Sequence, residues 1–188
     1  MAVLPGRENV IVAPDAGRFE QVVLPHLDSA YNLARWLVRD ASLAEDVVQD
    51  AALRALGYFA SYRGGNARAW LLQIVRNTAY TTLMARRGRT MSLDDGPGPA
   101  GDAPALQVPD PADDPEATLA RREDLQRLDR ALEALPIELR ECLVLRDIED
   151  LSYKEIGHVA GVPIGTVMSR LWRARQALIR GQTEGTGS

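Results

Sequence analysis

The chain has 188 residues, 46% of them hydrophobic, a single cysteine and a formal net charge of −4. The lone Cys142 excludes an internal disulfide and leaves a cysteine-based zinc site short of ligands. No apolar run approaches the length of a membrane span, and Val10-Ile-Val-Ala13 is too short for a signal-peptide core and lacks a basic start, so the expectation is a cytoplasmic protein without membrane insertion.

The acidic balance is unevenly distributed. Between Asp94 and Glu116 stand seven acids and no Lys or Arg; without them 22 basic residues face 19 acidic ones, about +3. The same stretch is rich in Gly and Pro and has no sustained apolar period, which reads as a flexible linker over 91–116. It divides the chain into a helical unit at 18–90 and another at 117–181, with short tails at 1–17 and 182–188.

In chain order, Phe19, Val22, Val23, Leu27, Ala30, Tyr31, Ala34 and Leu37 fit one helical stripe that ends near Arg39, with Pro25 kinking or shortening its start. Ser42-Leu-Ala-Glu45 has the spacing of a capping box and opens a helix with Ala44, Val47, Val48, Ala51, Ala55 and Phe59 on its inner face. Asp46, Gln49, Asp50 and Arg54 lie outside, where Asp50 and Arg54 can pair at i,i+4. Tyr62-Arg-Gly-Gly-Asn66 breaks the helix and Asn66 can cap the next, which runs through Trp70, Leu71, Ile74, Val75, Ala79 and Leu83 to Arg86, Arg87 and Arg89. Trp70 at this spacing is read as core.

After the linker, Leu125, Leu128, Leu132 and Leu135 carry a stripe up to Pro136, which opens a helix through Leu139, Leu143 and Leu145; Cys142 within it reads as a small buried hydrophobe. Ser152 and Glu155 form a further capping box, Gly161 a sharp turn, and Pro163 the first turn of a helix from Ile164. Val167, Leu171, Ala174 and Leu178 would face the core, leaving Thr166, Met168, Ser169, Arg170 and Arg173 outside. A polar and basic helix after a glycine turn suits a DNA major groove. Taken alone it also reads as a solvated basic face, with Trp172 in the core. Nothing suggests a strand, and the fold class is all-α.

These segments resemble the extracytoplasmic-function (ECF) sigma factors of bacterial RNA polymerase, the minimal two-domain group. Ala44-Glu-Asp-Val-Val-Gln-Asp-Ala-Ala-Leu-Arg-Ala55 resembles that family's core-polymerase-binding helix, and Ala69-Trp-Leu-Leu-Gln-Ile-Val-Arg-Asn-Thr-Ala79 its promoter-melting helix. Leu135-Pro-Ile-Glu-Leu-Arg140, Leu151-Ser-Tyr-Lys-Glu-Ile156 and Gly165-Thr-Val-Met-Ser-Arg-Leu-Trp-Arg-Ala-Arg175 resemble its second domain in order and spacing.

The resemblance implies roles. Asp46, Gln49 and Asp50 would dock on the clamp of the polymerase largest subunit, with the flap as a further contact. Gly64, Gly65, Asn66, Ala67 and Arg68 would receive a base flipped from the minus-ten element, with Arg76, Asn77, Arg86 and Arg87 on neighbouring DNA. Thr166, Met168, Ser169, Arg170, Arg173 and Arg175 would meet the minus-thirty-five element. Two departures stand out: Met168 where the family has Lys or Arg, and Gly157 where it has Ala.

The resemblance further implies an anti-sigma partner, a stress or envelope-signal response and a monomer when free. The rival reading is a helix-turn-helix regulator acting apart from polymerase. No nucleophile–base pair, phosphate-binding glycine loop or metal-ligand cluster points to an enzyme, and no metal or cofactor is expected.

Overall fold

A computed structural model of the chain describes residues 16–90 and 129–184, without the side chains of 16, 89–90 and 181–184. The 91–116 linker, Leu125, Leu128, the Arg89 side chain and most of both tails lie outside the described residues.

The first unit comprises α1 (Ala16–Val23), α2 (Leu27–Val38), α3 (Ala41–Tyr58) and α4 (Ala67–Thr90). Pro25 has the expected effect, because the chain passes from α1 to α2 through a 3-10 turn, Leu24–His26. Arg39 then takes a left-handed φ of 60° and closes α2. The cap of α3 differs from expectation. Asp40, not Ser42, precedes the helix, and its carboxylate accepts from the Leu43 amide at 3.0 Å. The left-handed turn at Arg39 brings Asp40 into extended geometry two residues earlier than a Ser42 cap allows. Asp40→Ala is therefore expected to cost about 1 kcal/mol in urea unfolding, and Ser42→Ala less than about 0.5 kcal/mol.

The second unit comprises α5 (129–134), α6 (Ile137–Leu143), a π-helical turn (Val144–Ile148), α7 (Tyr153–Ala160) and α8 (Ile164–Glu184). Both halves of the α7 capping box form: Ser152 Oγ accepts from the Glu155 amide, and a Glu155 carboxylate oxygen accepts from the Ser152 amide at 2.8 Å. Gly161 closes α7 in left-handed conformation, and the Pro163 carbonyl accepts from the Thr166 and Val167 amides at the start of α8.

α2 packs on α3 and α4 around Leu33, Ala34, Val47, Ala51, Leu71, Leu72 and Val75; α8 packs on α6 and α7 around Leu145, Ile156, Val167 and Leu171. All of these are at most 1% exposed, and each such leucine, isoleucine or valine contributes about 1.5–3 kcal/mol of transfer free energy. Cys142 is buried, as expected. The two units also touch, α4 against α7 and α2 against α6. The sequence reading did not anticipate that contact.

Candidate nucleic-acid interface

On α3, Asp46, Gln49 and Asp50 are all exposed, on the side opposite the buried Ala44, Val47, Ala51 and Ala55. The expected Asp50–Arg54 pair does not form among the described residues, since both side chains extend into water. Leu53, which sequence reasoning passed over, is 70% exposed, and at 100° per residue it falls between Gln49 and Asp50. Leu56 is exposed beside it, and Tyr58 is exposed further round the same helix. The available signal was Leu53's displacement from the buried stripe of its own helix.

At the α3–α4 junction Gly64 and Gly65 have φ of 89° and 100°, a conformation in which a Cβ would be strained. Tyr62 donates its hydroxyl to the Gly65 carbonyl at 3.0 Å, and Asn66 caps α4 by accepting from the Ala69 amide at 3.0 Å. Trp70 is half-buried, 4.9 Å from the Tyr62 ring, in an aromatic cluster with Phe59 and Phe19. Arg68 is half-buried, while Asn77, Arg86 and Arg87 are exposed; Arg86 lies 3.7 Å from Asp40.

His26 sits nearby, its pKa lowered by burial and by the Arg68 charge. The unfolded chain takes up this proton near pH 6.5 and the folded chain only at lower pH, so stability falls as pH drops below about 6.5. His26→Gln should remove that component from a pH series of urea midpoints.

Arg76 and Asn66, two of the expected minus-ten groups, are already engaged. Arg76 Nε lies 2.5 Å from Glu141 Oε1, and Tyr80 donates its hydroxyl to Glu141 Oε2 at 3.1 Å. Asn66 Nδ2 donates to Glu155 Oε1, and Gln73 Nε2 to the His158 carbonyl at 3.2 Å. Glu141 is fully buried. Burial pushes its carboxyl pKa up, against the opposing pull of Arg76, Tyr80 and Arg170. Sequence reasoning took Glu155 only as a cap and missed Glu141 and Tyr80, because a carboxylate buried by a partner 65 residues away leaves no local periodic signal.

On α8, Ser169 and Arg173 are exposed and Thr166 is half-buried on the same side; Arg175 reaches Asp147 at 3.1 Å. Arg170 departs from expectation. It is only half-exposed, its Nη1 is buried, and its charge acts on Glu141 and Cys142. The buried anion at Glu141 draws the long side chain inward. Trp172 departs in the opposite direction: it is 64% exposed, not core. With Met168, Ile179 and Tyr153 it lines an open, largely apolar groove, and Ile164 extends the exposed strip at the start of α8.

Among the described residues no helix is long and apolar enough to cross a membrane, and no cluster of His, Cys, Asp or Glu could hold a metal.

Residues 22–89 match the sigma-70 region 2 family, and residues 125–178 match the family described as sigma-70, region 4. The chain is 35% identical over 169 residues to the RNA polymerase sigma-H factor of Pseudomonas aeruginosa, covering 87% of this chain and 86% of that protein. It is 37% identical over 134 residues to the ECF RNA polymerase sigma-E factor of Escherichia coli K12, covering 71% and 70%. Among solved structures, the sigma factor RpoE in complex with the anti-sigma factor NepR from Bartonella quintana aligns with a TM-score of 0.71 at 29% identity, over 88% of this chain and 97% of that one.

Proposed function

The chain belongs to the ECF group of the sigma-70 family, and from that premise we propose which of its surfaces meet polymerase and which meet DNA. As a sigma factor it binds core RNA polymerase and directs promoter-specific transcription initiation. The exposed α3 face of Asp46, Gln49, Asp50 and Leu53 docks on the polymerase clamp: carboxylates give steering and register, and an exposed leucine gives the apolar centre. The second unit contacts the flap.

The loop Gly64-Gly65-Asn66 with Arg68 receives a flipped minus-ten base, and Arg76, Asn77, Arg86 and Arg87 hold the strand beside it. Thr166, Ser169 and Arg173, with Met168 and Arg175 flanking them, enter the minus-thirty-five major groove, and Arg170 joins them once freed from Glu141. The observation that carries this reading is the order of the two family matches, each coinciding with one helical unit and one exposed polar face. A regulator acting apart from polymerase leaves residues 22–89 without a role.

An anti-sigma factor is the further partner, on a free monomer. The strip of Ile164, Met168, Trp172 and Ile179, each between 47% and 64% exposed, supports a protein ligand on α8, since an apolar patch on a DNA-facing helix is otherwise an aggregation liability. The similar sigma factor RpoE of Bartonella quintana was solved in complex with the anti-sigma factor NepR.

Purified chain plus core enzyme should initiate at promoters selected from random DNA, and absence of a stable complex with core polymerase would refute the assignment. Arg173→Ala is expected to weaken minus-thirty-five binding by about 1–3 kcal/mol with loss of preference at one base pair. An equal loss on a scrambled element would make it a phosphate contact.

A further inference from the structure

The outer side of α8 is divided lengthwise by chemistry. At about 100° per residue, Thr166 and Arg173 share one flank, Met168 and Trp172 share the other, and Ser169 lies between them. The first flank carries hydrogen-bonding groups, the Thr166 hydroxyl and the Arg173 guanidinium, with the Ser169 hydroxyl at its edge. The second carries carbon and sulfur with a single indole N–H; Met168 is 54% exposed and Trp172 64%. The cations beside that flank have partners of their own. Arg175 is held by Asp147 at 3.1 Å, and Arg146 donates to the Leu151 carbonyl at 2.8 Å with its guanidinium 5.5 Å from the centre of the Tyr153 ring. A phosphate or a guanine edge laid against Met168 would lose hydration there without gaining a charge-assisted donor.

Met168 is the fifth residue of α8, within the N-terminal stretch from which a recognition helix reaches base edges. Of the groups that base pairs present in the major groove, the thymine C5 methyl is the alkyl one; guanine and adenine present N7 with O6 or N6, and cytosine presents N4. An unbranched thioether adapts its shape to such a methyl. Against the other bases it would desolvate a polar edge and return no hydrogen bond.

We propose that Met168 is a specificity-determining residue that reads an A·T pair of the minus-thirty-five element through its thymine methyl, on an apolar edge that Trp172 continues. The inference rests on the sigma-factor assignment of α8 and adds to it the base that one flank of the helix selects. Thr166, Ser169 and Arg173 meet the hydrogen-bonded part of the element, and Met168 meets the apolar part. The protein ligand proposed for α8 takes the whole strip from Ile164 to Ile179, whereas the DNA contact needs only its middle.

The test uses holoenzyme assembled from the full chain and core enzyme, on a promoter selected from random DNA. Each thymine of the minus-thirty-five element, on either strand, is replaced in turn by deoxyuridine, which keeps base pairing and removes only the C5 methyl. At one position the replacement should weaken holoenzyme binding about fourfold, the effect of returning one methyl group to water. In Met168→Ala the same replacement should change affinity by less than about twofold, while Met168→Leu, apolar and of similar volume, should retain the methyl effect. Met168→Arg should move the preference at that position from A·T toward G·C by at least about tenfold. Arg173→Ala, on the other flank, should leave the methyl effect unchanged. Met168 is exposed, so its variants should keep the wild-type urea midpoint and core-enzyme affinity. A methyl effect of equal size in wild type and Met168→Ala places the methyl against another residue and overturns the proposal. So does an element that contains no A·T pair or in which no deoxyuridine replacement is felt; Met168 then serves the protein ligand alone, and the sigma-factor assignment stands. A holoenzyme that selects no minus-thirty-five element overturns that assignment and the methyl reader with it.

Discussion

A chain carrying Asp50→Lys and Leu53→Glu is expected to lose core-polymerase affinity by at least about a hundredfold while its urea midpoint stays close to wild type. Both positions lie on the exposed side of α3, and Leu53 is 70% exposed, so neither substitution removes buried contacts or leaves a buried group unpaired. Surface changes of this kind shift stability by less than about 0.5 kcal/mol. Leu53 would sit at the centre of the docking patch, where desolvated apolar anchors dominate binding, and placing a carboxylate there imposes a desolvation cost on the complex alone. Lys at position 50 reverses the local charge and should slow association in a salt-dependent way, whereas Leu53→Glu should act on dissociation. Surface plasmon resonance against immobilised core enzyme at two ionic strengths separates the two. Affinity within threefold of wild type would move the docking surface off this face.

The fold was legible wherever the information was local. Stripes at steps of three and four marked the buried faces of α2, α3, α4 and α8, and the pair Ser152 and Glu155 marked the start of α7 with both of its hydrogen bonds. Pro25 and Gly161 marked breaks that the chain makes there. The errors arose where two local signals competed: Ser42-Leu-Ala-Glu45 has the spacing of a capping box, yet Asp40 caps because Arg39 turns left-handed before it. The π-helical turn at Val144–Ile148 has no sequence signature that periodicity can detect.

The site was legible by position and not by environment. Arg76 and Asn66 could be named from their helix and loop, but their partners Glu141 and Glu155 lie 65 and 89 residues away, and only packing of the units brings them together. Arg170 and Trp172 exchange the environments expected of their types, a guanidinium drawn inward and an indole in water. Both inversions have a physical source in the surroundings, the buried carboxylate in the first case and an open apolar groove along α8 in the second.

Gly157→Leu should destabilise the second unit by about 3 kcal/mol, and Gly157→Ala by less, about 1–2 kcal/mol, because even a single added carbon meets backbone. Gly157 is buried in α7 where the chain turns back toward α8, and its carbonyl accepts from the Val162 amide at 3.0 Å as well as from Gly161. A Cβ here would stand 2.9 Å from the Val162 carbonyl oxygen, with side-chain atoms of Ile164 and Val167 at 3.9 Å. The nearest obstacle is backbone, so relief requires the turn itself to move and not a side chain to rotate. For Ala, the helix-propensity gain of about 1 kcal/mol recovers only part of the cost of moving the backbone at Val162. For Leu the same propensity gain is outweighed: the added atoms push into Ile164 and Val167 and strain the hydrogen bonds that hold Gly161 and Val162 to the end of α7. The recognition helix then loses its fixed crossing on α7, so minus-thirty-five binding should fall further than stability alone explains. Urea unfolding of the full chain, with DNA binding measured well below the melting temperature, separates these effects. A Leu variant within 1 kcal/mol of wild type that still bound its promoter would mean that the turn opens freely and that the close approach at Gly157 sets nothing.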